Sequence, residues 1–123
     1  MTLLQGLFTE IINDVKDEME LLFNYGNAGT DNTTATSSQT SLVTEVFRKA
    51  IFSFDKTSPT SITASLEIGA GEANGNIIVE TGWNDTVTSG GTQLTRNVVN
   101  PINKTSDIVL YLDTSIAIEV KEI

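Results

Sequence analysis

The last part of the chain alternates so regularly that it restricts the folds open to the whole sequence. From residue 108 to residue 121, apolar side chains take every second position, and only Thr114 interrupts the series (Ile108, Leu110, Leu112, Ile116, Ile118 and Val120). A period of two is typical of an antiparallel strand with one buried face, and the interruption favours a bulge at residues 113–115. We expect so long a strand to lie centrally or to pair across a subunit interface, because an open edge recruits other chains.

The first part of the chain predicts one amphipathic helix over about residues 2–16. Its apolar residues recur at helical spacing on one wide face (Leu3, Leu4, Leu7, Phe8, Ile11, Ile12 and Val15). Thr2 and Gln5 fit a capping box. We expect Leu7, Phe8, Ile11 and Val15 to face the sheet or a neighbouring subunit.

The segment between helix and final strand predicts further strands. Residues 18–25 fit either more helix or a strand, and the clustered aromatics favour a strand. Residues 26–40 predict a loop, because they are almost wholly small and polar. Strands are predicted at residues 62–68, 77–83 and 94–99, the last ended by Pro101. The expected fold is therefore mainly β, one small antiparallel β-sandwich or open barrel spanning residues 18–123, with the N-terminal amphipathic α-helix packed on it in a single domain.

The composition excludes several kinds of partner. The chain of 123 residues has 16 acidic and 7 basic side chains, a net charge of −9, and neither cysteine nor histidine. This charge argues against binding to nucleic acid or to an anionic membrane, since both need a basic face. The lack of His removes the commonest general base and transition-metal ligand. We therefore predict no cofactor, no metal, no nucleic-acid partner and no membrane partner.

The motifs of catalysis are absent from the sequence. Its acidic residues are spread singly, and it contains no GxSxG nucleophile elbow and no complete phosphate-binding loop. We predict that the protein is not an enzyme and has no catalytic residues, although two distant carboxylates could converge in a hydrolase site. The single tryptophan, Trp83, favours a core or interface position over an exposed sugar platform.

An ion pair is predicted in residues 41–54, SLVTEVFRKAIFSF. Glu45 and Arg48 stand three residues apart among apolar neighbours, and Ala50, Phe52 and Phe54 then alternate with Ile51 and Ser53. The pattern predicts a tight turn or short helix carrying the pair, followed by a half-buried strand. Charges in an apolar setting should be paired, while a solvated surface pair is the alternative.

Five segments together resemble a known family. They are TSLVTEVFRKA at residues 40–50, EANG at 72–75, ETGW at 80–83, GGTQLTR at 90–96 and PINKT at 101–105. In order and spacing the chain is similar to small virion-associated domains related to the N-terminal domain of phage tail-collar fibre proteins. The resemblance implies a structural virion protein of a tailed virus, which oligomerises, with a trimer as the first expectation, and fixes a fibre or spike to other tail or baseplate proteins.

The same resemblance implies roles for individual residues. Glu45, Arg48, Glu80 and Arg96 match charged family positions and are expected to form structural ion pairs rather than a reactive site. From the helix pattern and the single tryptophan, and not from the resemblance, Trp83, Ile11 and Phe8 are the candidate interface residues. A glycan-binding module using Trp83, Tyr25 and the Asn/Thr-rich loops, and a capsid decoration protein, are the alternatives.

Overall fold

A computed structural model describes residues 5–119 and shows two antiparallel sheets with one helix. The elements in chain order are α1 (Gln5–Leu22), β1 (Tyr25–Gly29), β2 (Glu45–Ala50), β3 (Ser53–Asp55), β4 (Ser61–Ile68), β5 (Ile77–Asn84), β6 (Asn97–Asn103) and β7 (Leu110–Ala117). One sheet has the order β2-β1-β5-β6 and the other has the order β3-β4-β7. The predicted class, a mainly β fold of sandwich type with an N-terminal helix, is confirmed.

The core lies between the two sheets and follows from the alternation of β4. Its residues alternate between half-buried and fully buried positions, and the buried set is Ile62, Ala64, Leu66 and Ile68. From the other sheet, Ala28 and Ile78 pack against Leu66 and Ile68. Trp83 packs with Ile62 and Ala64. The period of two therefore predicted the correct face of this strand.

Trp83 belongs to this core and is only 1% exposed, so the predicted core position is confirmed and the alternative assignment as an interface residue is wrong. Its ring meets that of Phe54 edge to face, with 6.0 Å between the ring centres. Its Nε1 is the buried side-chain polar atom in residues 5–119 that lacks a hydrogen-bond partner. Burial without a partner for the N–H is a cost that the aromatic packing offsets.

The helix buries a different face from the predicted one. Ile12 and Lys16 are its buried residues, Phe8 is half-buried, and the predicted contacts Ile11 and Leu7 are exposed. The Lys16 ammonium donates hydrogen bonds to the carbonyl oxygens of Lys56 (3.0 Å) and Ser58 (2.7 Å). A lysine usually lies at the surface, but the four-carbon stem of Lys16 can pack as an apolar chain because backbone carbonyls accept hydrogen bonds from its ammonium. Thr2, Leu3 and Leu4, with the predicted capping box, lie outside the described residues.

The helix is also longer than predicted, and the strand favoured at residues 18–25 is wrong. Helix α1 continues to Leu22, and the Phe23 N–H still donates to the Met19 carbonyl at 2.8 Å. Glu, Met and Leu, which fill this segment, are strong helix formers. Met19 and Phe23 lie four residues apart and both pack towards the Trp83 cluster. Helical spacing therefore prevailed over the apparent alternation.

Substitutions at neighbouring positions distinguish the two faces of the helix. Ile12 is 5% exposed and Ile11 is 38% exposed. We expect Ile12→Ala to lower the free energy of unfolding by about 2–3 kcal/mol and Ile11→Ala to lower it by less than about 1 kcal/mol, because only the first leaves a cavity. Urea unfolding of the two variants measures the difference. Equal losses would mean that the helix packs on its predicted face.

Three strand predictions are corrected by the register of the sheets. Tyr25–Gly29, expected mostly as loop, is a central strand of the four-stranded sheet. The strand expected at residues 94–99 is shifted to Asn97–Asn103 and contains Pro101, which an edge strand tolerates where its register breaks. Strand β7 pairs continuously with β4, so the bulge expected at residues 113–115 is absent, and β7 lies at an edge.

The segment that begins at Glu45 is a bulged strand rather than a turn or helix. Gly29 pairs with Glu45 but Ala28 pairs with Phe47, so β2 contains one extra residue at Val46. An extra residue reverses the alternation of the strand, and it therefore brings Glu45 and Arg48, three apart, to the same face. The half-buried strand predicted after them is broken, because the chain leaves one sheet at Ala50 and enters the other at Ser53.

The described part of the chain, residues 5–119, contains no helix long and apolar enough to cross a membrane.

Candidate functional site

The outer face of the four-stranded sheet carries polar residues under two loops. In the β1–β5 register, Glu80 lies opposite Gly29 and Gly82 lies opposite Asn27. Opposed residues share a face, so these positions point away from the face of Ala28 and Trp83, which forms the core. Residues 30–44 and 85–96 connect the strands and fold back over this outer face. We call the buried and half-buried polar residues between the sheet and these loops the polar layer: Asn27, Glu45, Arg48, Glu80, Asn84, Gln93 and Arg96.

Glu80 anchors the first loop. It is completely buried, and its carboxylate accepts hydrogen bonds from the backbone N–H groups of Val43 (2.8 Å), Thr44 (2.8 Å) and Asp31 (3.2 Å). Arg96 donates to the same carboxylate from Nε at 2.8 Å. One side chain therefore holds both ends of the loop at residues 30–44. A buried carboxylate is tolerated here because each of its oxygens receives more than one donor.

Arg96 extends this anchor to the middle of the loop. Its side chain is 4% exposed, and Nη1 donates to the carbonyl of Thr33 (2.7 Å) and to the Gln39 side chain (3.2 Å). Its Nη2 donates to the carbonyl of Asp31 at 3.2 Å. The planar guanidinium with its several fixed donors suits this task better than an ammonium would.

The Glu45–Arg48 pair anchors the second loop. Arg48 donates from Nε (3.0 Å) and Nη2 (2.7 Å) to the two oxygens of Glu45, so the pair is bidentate. Its Nη1 faces the loop and donates to Asn84 Oδ1 (3.0 Å), to the Thr86 carbonyl (3.0 Å) and to the carbonyls of Thr88 and Gly90. The Arg48 guanidinium therefore binds the Glu45 carboxylate and also holds backbone carbonyls of residues 86–90 in place.

Amide side chains connect the two anchors. Asn27 donates to Glu45 (2.6 Å) and to Gln93 (2.8 Å), and Gln93 returns a bond to Asn27 Oδ1 at 2.8 Å. Asn84 also donates to Gln93 Oε1 at 2.9 Å. A side-chain amide offers both donors and acceptors, so these three residues satisfy one another's hydrogen-bonding groups. Removing one of them leaves buried partners unsatisfied.

The electrostatics of Glu80 follow from this arrangement. Burial by itself raises the pKa of Glu80, because it disfavours the charged form. The hydrogen bonds from Arg96 and from the N–H groups of Thr44, Val43 and Asp31 outweigh burial, and they hold the pKa of Glu80 below its ordinary value. The charged state is therefore the one that the fold stabilises.

This shift predicts a specific acid sensitivity. The unfolded chain has the ordinary glutamate pKa of about 4.3, and the folded value is lower, so the contribution of Glu80 is complete above about pH 4.3 and is lost as the pH falls through the folded pKa. Glu80→Gln lacks this contribution. We expect the difference in unfolding free energy between wild type and Glu80→Gln, measured in urea from pH 7 to pH 3, to shrink towards acid. A difference independent of pH would contradict the assignment.

Arg48 offers a separate test of the second anchor. Arg48→Lys keeps the charge, but a single ammonium cannot hold Glu45 and the carbonyls of the 86–90 loop together. We expect a loss of about 1–2 kcal/mol of stability and faster hydrogen exchange of the amides at residues 86–90. Lys49→Arg, at a partly exposed pair with Glu72, is the control and should change neither. Unchanged loop exchange in Arg48→Lys would mean that the loop does not depend on this guanidinium.

A pocket of about 240 Å³ opens at the surface of the polar layer. It lies between the first loop and the last residues of the second loop. Hydroxyl and amide groups form most of its wall (Thr36, Ser37, Gln39, Ser41, Gln93, Leu94, Thr95 and Arg96). The guanidinium of Arg96, one of the lining residues, already binds Glu80. The pocket can therefore accept a small polar group, which would meet neutral donors and acceptors first.

The structure brings the four predicted charged residues together. Glu45 pairs with Arg48, and Glu80 pairs with Arg96, within the same layer. Ile11 and Phe8, the two remaining candidate interface residues, lie on the helix. No group of three or more Cys, His, Asp or Glu residues within 5–119 is arranged to hold a metal ion.

Sequence reasoning missed the amides Asn27, Asn84 and Gln93 and the buried lysines Lys16 and Lys104. A signal for the polar layer was present in β5, where Glu80, Gly82 and Asn84 alternate with apolar residues and Thr81. An alternating polar face usually indicates solvent, but all three positions are buried, because the loops cover them. Nothing in the pattern separates the two cases.

No family model, curated protein or solved structure matches this chain.

Proposed function

We propose that this protein is a structural protein of a tailed-virus particle, located in the tail or baseplate, where it oligomerises and fixes a fibre or spike. The observation that carries the proposal is the polar layer. The four charged residues of the family-like segments (Glu45, Arg48, Glu80 and Arg96) bind each other and loop backbone. Groups committed in this way stiffen a surface and are poorly placed for acid–base chemistry.

The proposed role needs loops that keep their shape under load. Both long connections, residues 30–44 and 85–96, are tied to the sheet by charge-assisted hydrogen bonds. Such bonds are stronger than neutral ones, and a guanidinium with several acceptors fixes a loop in one conformation. A surface of this kind suits permanent attachment to another virion protein.

The helix supplies a surface for assembly. Leu7, Ile11 and Val15 follow each other at intervals of four residues, so they share one side of α1, and all three are exposed. Half-buried Phe8 lies beside them. An apolar stripe of this kind is covered when subunits meet. We therefore retain Ile11 and Phe8 as interface residues of a homo-oligomer, with a trimer as the first expectation from the resemblance.

Labelling of purified virions tests the proposal. We expect gold-conjugated antibodies against this chain to decorate the tail or baseplate, and subtomogram density at that place to accept the two-sheet fold. Labelling of the capsid shell would favour the capsid decoration protein. Absence of the chain from purified particles would contradict both virion roles.

A glycan-binding module is the second candidate, and the polar pocket is the observation that favours it. Its hydroxyl and amide lining resembles the hydrogen-bonding surface that a sugar requires. Of the two aromatic residues expected for this role, however, Trp83 is buried in the core, and Tyr25 is half-buried. A glycan array with wild type and Gln39→Ala separates the candidates: binding that the variant loses would favour glycan recognition.

A further inference from the structure

The four sheet edges in residues 5–119 differ in how well they are protected from other chains. Strand β2 has a bulge and three charged residues, and β6 contains Pro101 at a break in register. Strand β3 has only three residues. Bulges, prolines, charges and short length are the usual means of blocking edge pairing.

Strand β7 has the fewest of these protections, with a single charged residue. Its eight residues, Leu110–Ala117, pair with β4 without a register shift, and the sequence LYLDTSIA contains one charge and no proline. It is the last strand of its sheet, so its second side has no neighbour among the described residues. The chain therefore leaves its most regular edge open.

The hydrogen bonds show which backbone groups this edge offers. The Ile118 N–H donates to the Thr60 carbonyl at 2.7 Å, which continues the register in which Ser61 pairs with Ala117. In an antiparallel ladder the residues that bond to one neighbour alternate with those that face the other side. Even-numbered residues of β7 therefore bond to β4. The N–H and C=O groups of Tyr111, Asp113, Ser115 and Ala117 point outwards.

We infer that this open edge pairs with β7 of a second copy, antiparallel and centred on Thr114, so that the three-stranded sheets of two copies form one continuous sheet. The inference rests on the proposed function, because it concerns the proposed homo-oligomer, and it names a dimer in place of the trimer that the resemblance implies. Identical surfaces meet, so the contact has two-fold symmetry.

The side chains select both the occupant and the register. A register centred on Asp113 would oppose two carboxylates, which is destabilising. A register centred on Thr114 places Asp113 opposite Ser115 of the partner subunit, and Leu112 opposite Ile116 of the partner subunit. The same chemistry already occurs inside the chain, where Ser65 donates to Asp113 and the Thr63 and Ser115 hydroxyls lie 2.6 Å apart. A second β7 thus offers matching side chains on both faces of the sheet, polar against polar and apolar against apolar.

Sedimentation velocity of the full chain over a range of concentrations tests the inference. We expect a reversible dimer. Ser115→Pro removes an outward N–H and no bond to β4, so it should raise the dimer dissociation constant about tenfold or more, with each subunit still folded by circular dichroism. Ser115→Ala removes only the hydroxyl and is the matched control, with an effect several-fold smaller.

Charge variants keep the test decisive if the proline variant fails to fold. Ser115→Asp sets a carboxylate against Asp113 of the partner subunit and should weaken the dimer, whereas Ser115→Lys should strengthen it. A monomeric chain would overturn β7 pairing. So would an oligomer whose dissociation constant is the same in wild type and in all four Ser115 variants. If that chain is nevertheless found in virions, the proposed function stands without this contact. A chain that is monomeric alone but binds another tail protein through β7 would also overturn pairing with a second copy.

Discussion

Glu80→Ala should lower the free energy of unfolding by about 3–5 kcal/mol, enough to leave a small domain largely unfolded. The change leaves Arg96, only 4% exposed, without its carboxylate. It also removes the acceptor of three backbone N–H groups, those of Val43, Thr44 and Asp31. Each buried donor without an acceptor is costly, and the stranded charge adds to that cost.

A double variant and a surface control separate the effect of losing the Glu80–Arg96 ion pair from the effect of losing side-chain volume. The double change Glu80→Leu with Arg96→Leu removes both charges, so it should lose less stability than the sum of the two single changes to Leu. Glu10→Ala, at an exposed position of the helix, should change stability by less than about 0.5 kcal/mol. Urea unfolding followed by tryptophan fluorescence measures Glu80→Ala, the two single changes to Leu, the double change and Glu10→Ala. A small loss in Glu80→Ala would mean that the polar layer does not hold the fold together.

Gly82→Ala should be nearly as damaging, with a loss of about 3 kcal/mol or more. Gly82 lies on the outer face of β5, under residues 93–95 at the end of the second loop. A Cβ at this position would meet the Thr95 carbonyl oxygen and the Gln93 amide, and would lie 3.0 Å from the Thr95 carbonyl carbon. The obstacle is mainly backbone, which cannot rotate away as a side chain can. The segment must therefore lift off the sheet, breaking the bonds of Gln93.

Other glycines in the chain provide the control. An added Cβ meets nothing within 4 Å at Gly71 or Gly6. We expect Gly71→Ala to be nearly neutral, and Gly6→Ala to stabilise the helix by up to about 1 kcal/mol, since alanine is the better helix former. Thermal unfolding of the three variants gives the comparison. Similar melting temperatures for Gly82→Ala and Gly71→Ala would show that the loop is not seated on β5 as described.

The sequence alone determined the fold class, the strand at residues 62–68 and the pairing of Glu45 with Arg48. The alternation at residues 62–68 predicted the strand and its buried face, because side chains on a strand repeat every two residues. The pairing of Glu45 with Arg48 was predictable because charges among apolar neighbours need partners. The expected helix was also found, although its end and its buried face were misplaced.

Only the tertiary structure decided which polar residues are buried and which glycine-containing segments form strands. Residues 25–29, YGNAG, read locally as a loop, yet they form a central strand. A Cβ at Gly29 would collide with the Glu80 carboxylate. A glycine is therefore needed at this position, because the Glu80 side chain packs directly against the backbone there. Asn27 and Glu80 look like solvent-facing residues by period alone, and loops distant in sequence bury them. The local sequence pattern predicts the period of a segment. It does not predict which loops cover that segment, because their positions depend on long-range packing.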